Sequence, residues 1–244
     1  MNIKCYYRLY DKSYMGHGCT WKICLNSFIN NFNPDKKELI IYLDNCEQTT
    51  IDEVVKLCSD KDIEYKITND GNALGFYNVT VDAISENSDD TIIYFVEGDY
   101  LHRPGSKFAL IEMFSCFGNN NYVTLYDHPD KYYPFMWDSN YNRYINHCEH
   151  GPNQDIKSKI YLLKSGWWRT TNLTCWTYAA QVKTLKEDFE IITKWTKPFA
   201  PGKAKDIELF DNLAEKGRIL YSPIPSYSGH SACLPGYINW NSYK

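Results

Sequence analysis

The stretch TIIYFVEGDYLH, residues 91–102, ends an apolar run on Glu97, Gly98 and Asp99. Two carboxylates one residue apart offer hard oxygen ligands, which select Mg2+ or Mn2+ over softer metals. A plain acidic turn after a strand is the competing reading. Other reactive or ligand-binding groups stand at the ends of other apolar runs: Arg8 and Asp11, Asp44 and Asn45, then Asn69, Asp70, Gly71 and Asn72. Their chemistry depends on whether the chain brings these ends together.

The pattern of elements says that it does. Residues 3–10, 38–45, 63–68 and 91–97 read as strands, the second and fourth as continuous apolar runs of the kind buried on both faces. Helices are predicted over 20–32, 50–61 and 72–87, the second opening on a Thr50/Glu53 capping-box spacing. Strand and helix alternate three times in the first 97 residues, which predicts a mainly parallel sheet with helices on both faces. Ligands of such sheets bind beyond the carboxyl ends of the strands. Arg8, Asp11, Asn45, Asn72, Glu97, Gly98 and Asp99 would then line one crevice, suited to a diphosphate held through a divalent cation. The second half is less regular. Helices are expected at 106–117, 183–195 and 205–217, the last closed by Gly217, and strands at 121–127, 158–165, 173–181 and 218–227, with residues 138–156 as loop. No linker separates the halves, so one domain over 1–244 is expected, with a ligand-binding half (1–105) and a second half (106–244).

Composition narrows the partners. The net charge of -4 argues against a nucleic-acid binder. Nine cysteines, an odd number without a C-x-x-C pair, suit a reducing compartment better than a disulfide framework. The amino-terminal residues show no apolar signal segment, and no run approaches a membrane span, so a cytoplasmic protein is expected. Aromatic content is high, with 21 Tyr, 11 Phe and 7 Trp. Aromatic faces stack on sugars and bases, although an AT-rich coding bias gives the same excess. Trp167, Trp168 and Trp176 are candidates for stacking on a sugar, with core packing as the rival role. Adjacent residues of a strand face opposite ways, so only one of Trp167 and Trp168 is expected to face a cleft. His147 and His150 invite a metal reading but lack a second ligand pair, which favours a solvated loop. The segment DKSYMGHGCT has neither the G-x-G-x-x-G order nor the Walker spacing, which weakens any dinucleotide or ATP reading.

The run VEGDYLHRPG resembles the acidic motif of family-2-like glycosyltransferases with the A-type nucleotide-sugar-binding fold, in particular a bacterial and large-DNA-virus subgroup with the order E-D-D-Y-L-H-R-P-G. Tyr100, Leu101, His102, Arg103, Pro104 and Gly105 match its continuation. YVTLYDHPDKY (122–132), LLKSGWWRTTNLTCWTYAA (162–180), KTLKED (183–188) and SPIPSYSGH (222–230) match further segments in order. The resemblance implies a Rossmann-like α/β fold and a metal-dependent transfer from a nucleotide-diphosphate sugar, a UDP-sugar by preference. The acceptor would be a hydroxyl of a glycan or glycoconjugate, and the anomeric centre would be inverted. If the chain is viral, the host cytoplasm would be its place. Asp99 matches the metal ligand of the motif and Glu97 its first acid. Gly98 replaces the middle Asp, which removes a carboxylate and motivates the alternative of a degenerate sugar-nucleotide-binding module. His230 matches a histidine that reaches back to the metal. Asp206, at the start of its helix, matches the general base, with an N-cap as its plainer role and Glu208 as a rival. A sugar nucleotidyltransferase also uses acids at a sheet edge with Mg2+, but would carry a Gly-rich, Lys- or Arg-bearing loop after strand one.

Overall fold

A computed structural model describes residues 1–12, 15–117, 120–128, 136–138, 143–145, 158–171, 174–196, 206–236 and 238–244. Four short strands pair in parallel: β1 (Ile3–Leu9), β2 (Leu39–Asp44), β3 (Glu64–Thr68) and β4 (Ile92–Glu97), all apolar and buried but β3, a largely exposed edge strand. The helices between them are α1 (Trp21–Ser27), which widens into a π-helical turn over Phe28–Phe32, α2 (Gln48–Lys61) and α3 (Asn72–Glu86). The parallel half follows the sequence reading closely. The Thr50/Glu53 cap is the exception. α2 begins earlier, with Glu47 at the cap and Thr50 buried, because the Asp11 carboxylate accepts the Glu47 amide at 2.8 Å and fixes the entry.

After β4 come β5 (Tyr100–His102), α4 (Ser106–Phe117), β6 (Tyr122–Val123), and a hairpin of β7 (Met136–Asp138) and β8 (Arg143–Ile145). Then follow β9 (Ile160–Leu163), β10 (Gly166–Thr171), β11 (Tyr178–Gln181), α5 (Val182–Glu187), α6 (Phe189–Thr196), α7 (Asp206–Glu215), β12 (Leu220–Ile224) and β13 (Ser228–His230). One nine-stranded sheet has the order β3-β2-β1-β4-β11-β6-β12-β10-β9, so strands of both halves share it. β11, β10 and β9 bring in the antiparallel pairings, and β6 and β12 run parallel to each other.

Five sequence expectations change here. The strand at 121–127 shrinks to β6, and that at 173–181 to β11. In both, threonines leave the ladder: the Thr174 hydroxyl meets that of Thr124 at 2.9 Å, and Thr177 turns to the Glu97 amide. The segment GWWRTT forms a full strand, β10. Part of the expected loop at 138–156 is the β7–β8 hairpin. The helix at 183–195 divides at Asp188, whose carboxylate turns into the core to meet Tyr122 and Arg218.

Two apolar layers cover the sheet. One face carries Tyr7, Leu9, Ile41, Leu43, Tyr94 and Val96 under α1, α2 and α4. The other carries Tyr6, Tyr42, Phe95 and Tyr178 under α3, α5, α6 and α7. No helix among the described residues is long and apolar enough to cross a membrane.

Candidate active site at the carboxyl edge of the sheet

Parallel pairing puts the ends of β1, β2, β3 and β4 at one edge. Arg8 pairs with Glu97 and with Tyr42, so the side chains of Arg8, Asp44 and Glu97 share the α3 face. Arg8 donates from Nε and Nη2 to Asp44 Oδ2, at 2.9 and 2.6 Å. Asp44 Oδ1 accepts the amides of Asp70 and Gly71, at 2.8 and 3.0 Å. Burial pushes the Asp44 carboxyl up, but the Gly71 amide, the Arg8 charge and the Asp70 amide outweigh it and hold the pKa below the usual range. Gly75 on α3 leaves room for this pair. A Cβ there would lie 2.4 Å from Asp44 Oδ2 and 2.8 Å from Arg8 Nε. An isolated glycine inside a helical pattern was the available sequence signal.

The other expected donor contacts stand around this pair. Asp11 spends Oδ2 on the Glu47 amide, while its buried Oδ1 has no hydrogen-bond partner among the described residues. Asn45 is exposed in a left-handed conformation, φ 54°, its amide bound to the Thr68 carbonyl. Asn72 opens α3 at the same edge.

Asp99 and His230 meet although 131 residues separate them. β13 pairs antiparallel with β5, with His230 opposite Tyr100, and the Ser231 amide donates to the Asp99 carbonyl at 2.8 Å. This clamp sets His230 Nε2 3.1 Å from Asp99 Oδ2. Asp99 Oδ1 is buried with no partner among the described residues. A buried carboxylate oxygen without a donor is costly, and a cation is one group that satisfies it. Among the described residues, no cluster of three or more His, Cys, Asp and Glu side chains is placed to hold a metal ion. Asp99 and His230 are thus a two-ligand set, an oxygen with an imidazole, which fits Mn2+ if ligand oxygens and water complete the shell.

The YLHRPG continuation builds this clamp. His102 is fully buried, shares a 2.9 Å hydrogen bond with the Tyr94 hydroxyl and packs edge-on against Phe28. Burial pushes its pKa down to about 3, so the ring is neutral. Arg103 donates to the Ser226 carbonyl at 2.7 Å and lies over the Tyr227 ring, which ties the acidic motif to the SPIPSYSGH segment.

Gly98 has a packing reason. A Cβ there would approach Leu9 Cα at 3.0 Å and the Arg8 carbonyl oxygen at 3.1 Å, both backbone atoms of β1. Gly98→Asp is therefore expected to lower stability by about 1–3 kcal/mol through overpacking. Chemical denaturation with UDP titration tests this. An unchanged midpoint with tighter UDP binding would instead reveal a missing carboxylate.

Burial, with the neighbouring Asp99 charge, raises the Glu97 pKa to about 7; Arg8 and His230 oppose the rise and Asp206 adds to it. Asp206 stands in the first turn of α7, where the helix dipole favours an ionised carboxylate. Its charge is felt at Glu97 and at the Cys175 thiol, which burial, then Asp206, push upward. The start of α7 therefore faces the acidic motif. Glu208 lies further along the same turn. Sequence reasoning missed Thr177, Cys175 and Gly75; the first two precede a strand that had been expected to include them.

The pKa of His230 is also raised: burial lowers it, and the Asp99 hydrogen bond and charge outweigh that. Both Glu97 and His230 hold more protons folded than unfolded in this window. Stability of the metal-free protein is therefore expected to fall as pH rises from about 5 through about 7, where Glu97 loses its proton, and further as His230 loses its own, and Glu97→Gln to flatten the first part of the fall. Thermal melts that rise across that range would contradict the arrangement.

The tryptophans separate. Trp168 is fully buried and donates to Ser165 Oγ at 3.0 Å, so it belongs to the core and is not a stacking surface. Trp176 is half-buried, 4.7 Å from the Phe76 ring. Trp167 is 52% exposed. His147 and His150 lie outside the described residues.

No protein-family profile and no curated protein matches this sequence. Solved structures do match. GalNAc-T7 with UDP, GalNAc and Mn2+ superposes with a TM-score of 0.58 at 12% identity, over 96% of this chain and 44% of that one. 4-Diphosphocytidyl-2C-methyl-D-erythritol synthase gives 0.52 at 11% identity, over 100% and 98%. The fold is the Rossmann-like one of A-type glycosyltransferases and nucleotidyltransferases. A fragment of S. aureus TarS gives 0.50 at 14% identity, over 91% and 60%. This chain thus spans less than half of the GalNAc-T7 chain and under two thirds of that TarS fragment.

Proposed function

We propose that the chain is a metal-dependent glycosyltransferase that moves a sugar from a nucleotide diphosphate, a UDP-sugar by preference, to a hydroxyl of a glycan or glycoconjugate. The observation that carries this reading is Asp99, just beyond β4, with one oxygen on His230 and the other buried with no hydrogen-bond partner among the described residues. Asp99 and His230 would hold Mn2+ or Mg2+, which supplies charge neutralisation for the leaving diphosphate. Arg8, Asp11, Asn45 and Asn72 stand where the nucleoside of such a donor would lie, by the general rule for parallel sheets. Asp206 takes the acceptor proton as the acceptor oxygen bonds to the anomeric carbon and the bond from that carbon to the diphosphate oxygen breaks. With Asp206 as the base and no separate nucleophile assigned among the described residues, inversion is the expected outcome. The subgroup suggested by the YLHRPG motif remains part of this proposal, as does a cytoplasmic location. Trp167 and Trp176 are the aromatic residues left for the acceptor.

A nucleotidyltransferase is the second reading, favoured by the full-length match to the cytidylyl enzyme. Donor hydrolysis separates the two: incubation with UDP-, GDP- and dTDP-sugars should release nucleoside diphosphate from one of them in the presence of Mn2+. Diphosphate release from a nucleoside triphosphate in the presence of a sugar phosphate would support the second reading instead. Cation-dependent UDP binding with neither reaction would identify a degenerate binding module.

A further inference from the structure

Asp99 and His230 meet only because β5 and β13 pair, and that ladder is three residues long on each side. Two strands this short do not hold together by their own hydrogen bonds, least of all across 131 residues of chain. The two faces of the ladder show what supports it. Tyr100 and His230 pair on one face, their rings 5.2 Å apart. Alternation puts the next pair, Leu101 and Gly229, on the other face. There the ladder is backed by a small apolar cluster, separate from the two layers on the main sheet. Leu101, Cys19, Cys24 and Trp240 are buried in it, with Leu234 and Ile238 packed against them. Trp240, 4% exposed, is the surface on which Gly229 lies. A Cβ on Gly229 would come 2.8 Å from Trp240 Cζ2 and 2.8 Å from Leu234 Cδ2. The indole donates to the Pro235 carbonyl at 3.1 Å, which folds the segment after β13 under the ladder. The loop after β1 closes against the same segment. A Cβ on Gly16 would lie 2.9 Å from the Ser231 carbonyl oxygen, and Lys244 Nζ donates to the His17 carbonyl at 2.6 Å.

We propose that the segment after β13 is a clasp that assembles the cation site, with Trp240 as the residue that positions His230 against Asp99. This rests on the metal-dependent reading above and specifies how that site is regulated: cation affinity follows the docking of the clasp. The chain leaves His230 through Ser231, whose amide holds the Asp99 carbonyl. Cys233 follows, its amide on the His230 carbonyl at 2.9 Å and its carbonyl accepting from the Tyr126 hydroxyl at 2.7 Å. These bonds fix the far side of His230, and the Trp240 indole fixes the near side through Gly229. Displacing the indole frees Gly229 to shift, and its neighbour His230 then moves within a ligand set of only two side chains. Trp240 lies on the face away from His230, so it acts through β13 and not on the cation. Linkage makes the effect reciprocal: a cation that binds only the docked form stabilises docking by the same factor.

Calorimetry of Mn2+ titrated into the full chain, with UDP present, tests the placement of His230. Trp240→Ala should weaken Mn2+ by about 10–100-fold, the usual cost of removing a residue that orients a metal ligand. Gly229→Ala, which pushes on the indole from the other side, should weaken it in the same direction, and it serves as the test if Trp240→Ala does not fold. Trp240→Phe, which keeps an aromatic ring under Gly229, should restore most of the affinity. Met113→Ala, an equally buried change in α4, should leave Mn2+ affinity unchanged although it too removes core packing. Hydrogen exchange of the peptide carrying the Ser231 and Cys233 amides reads the docking itself. At about ten times its dissociation constant, Mn2+ should slow that exchange about tenfold, and Asp99→Asn should abolish the slowing. Wild-type Mn2+ binding with unchanged affinity in Trp240→Ala and Gly229→Ala overturns the clasp alone. So does an equal loss in Met113→Ala, or exchange indifferent to bound Mn2+. Absence of Mn2+ binding by the wild type overturns the metal-dependent reading, and the clasp's role falls with it.

Discussion

Asp206→Asn is expected to lower the turnover of sugar transfer by about 10²–10⁴-fold and to leave UDP affinity unchanged. The substitution separates the two roles open to this residue. Asn is isosteric and nearly as good as Asp at a helix start, so a purely structural Asp206 would tolerate it. A base would not, because the amide cannot accept the acceptor's proton. Asp206 lies close enough to Glu97 and Cys175 to shift both upward, so its charge is directed at the acidic motif. Single-turnover transfer with saturating donor, together with UDP calorimetry, checks both halves. Retained turnover would remove Asp206 from the chemistry and make Glu208 the next residue to replace. A parallel loss of UDP binding would show that Asp206 instead supports the donor pocket.

The second large effect concerns the frame that holds α7. Asp188 is fully buried where α5 and α6 meet. It accepts from Arg218 Nε at 2.8 Å and Nη2 at 3.0 Å, from the Tyr122 hydroxyl at 2.9 Å, and pairs with Lys216 at 2.6 Å. Arg218 follows the end of α7, where Gly217 adopts φ 89° and the Arg218 amide reaches back to the Leu213 carbonyl. Arg218→Met should cost about 3–5 kcal/mol, because it strands a buried carboxylate with only part of its charge compensation. Adding Asp188→Asn should recover much of that loss, since an unpaired charge then no longer has to stay buried. Urea unfolding of the single and double variants measures both. A single variant within 1 kcal/mol of wild type, on the general scale of surface changes, would show that the Asp188 cluster does not hold α7.

How much of this was legible in the sequence varies along the chain. β1, β2 and β4 read correctly because each is a short apolar run bounded by polar turns, β3 because Ile63, Tyr65 and Ile67 alternate with Glu64 and Lys66, and the helices between them carry one apolar stripe. That alone placed Arg8, Asp44, Glu97 and Asp99 at one edge. It did not show that Arg8 and Asp44 bind each other, because an ion pair between two strand ends leaves no periodic mark. The second half was harder. β6 has two residues, and β11 begins after Thr174 and Thr177, whose hydroxyls bond the Thr124 hydroxyl and the Glu97 amide, so a run of strand formers overstated both. The break at Asp188 was hidden because the residues around it continue a helical pattern while one carboxylate turns inward. His230 came from motif resemblance, and no local signal tied it to Asp99; the β5–β13 ladder makes that link across 131 residues. Gly98 changed meaning most. As sequence it was a missing acid, and in the fold it is also the residue that lets the motif pass β1.

The central claim is that Asp99 and His230 hold a divalent cation that binds a nucleoside diphosphate at the end of β4. Calorimetric titration of UDP into the protein, first with Mn2+ and then with a chelator, tests it most directly. The arrangement predicts binding that requires the cation and is lost in Asp99→Asn. Equal binding with and without Mn2+, or no binding of UDP in either condition, would contradict it.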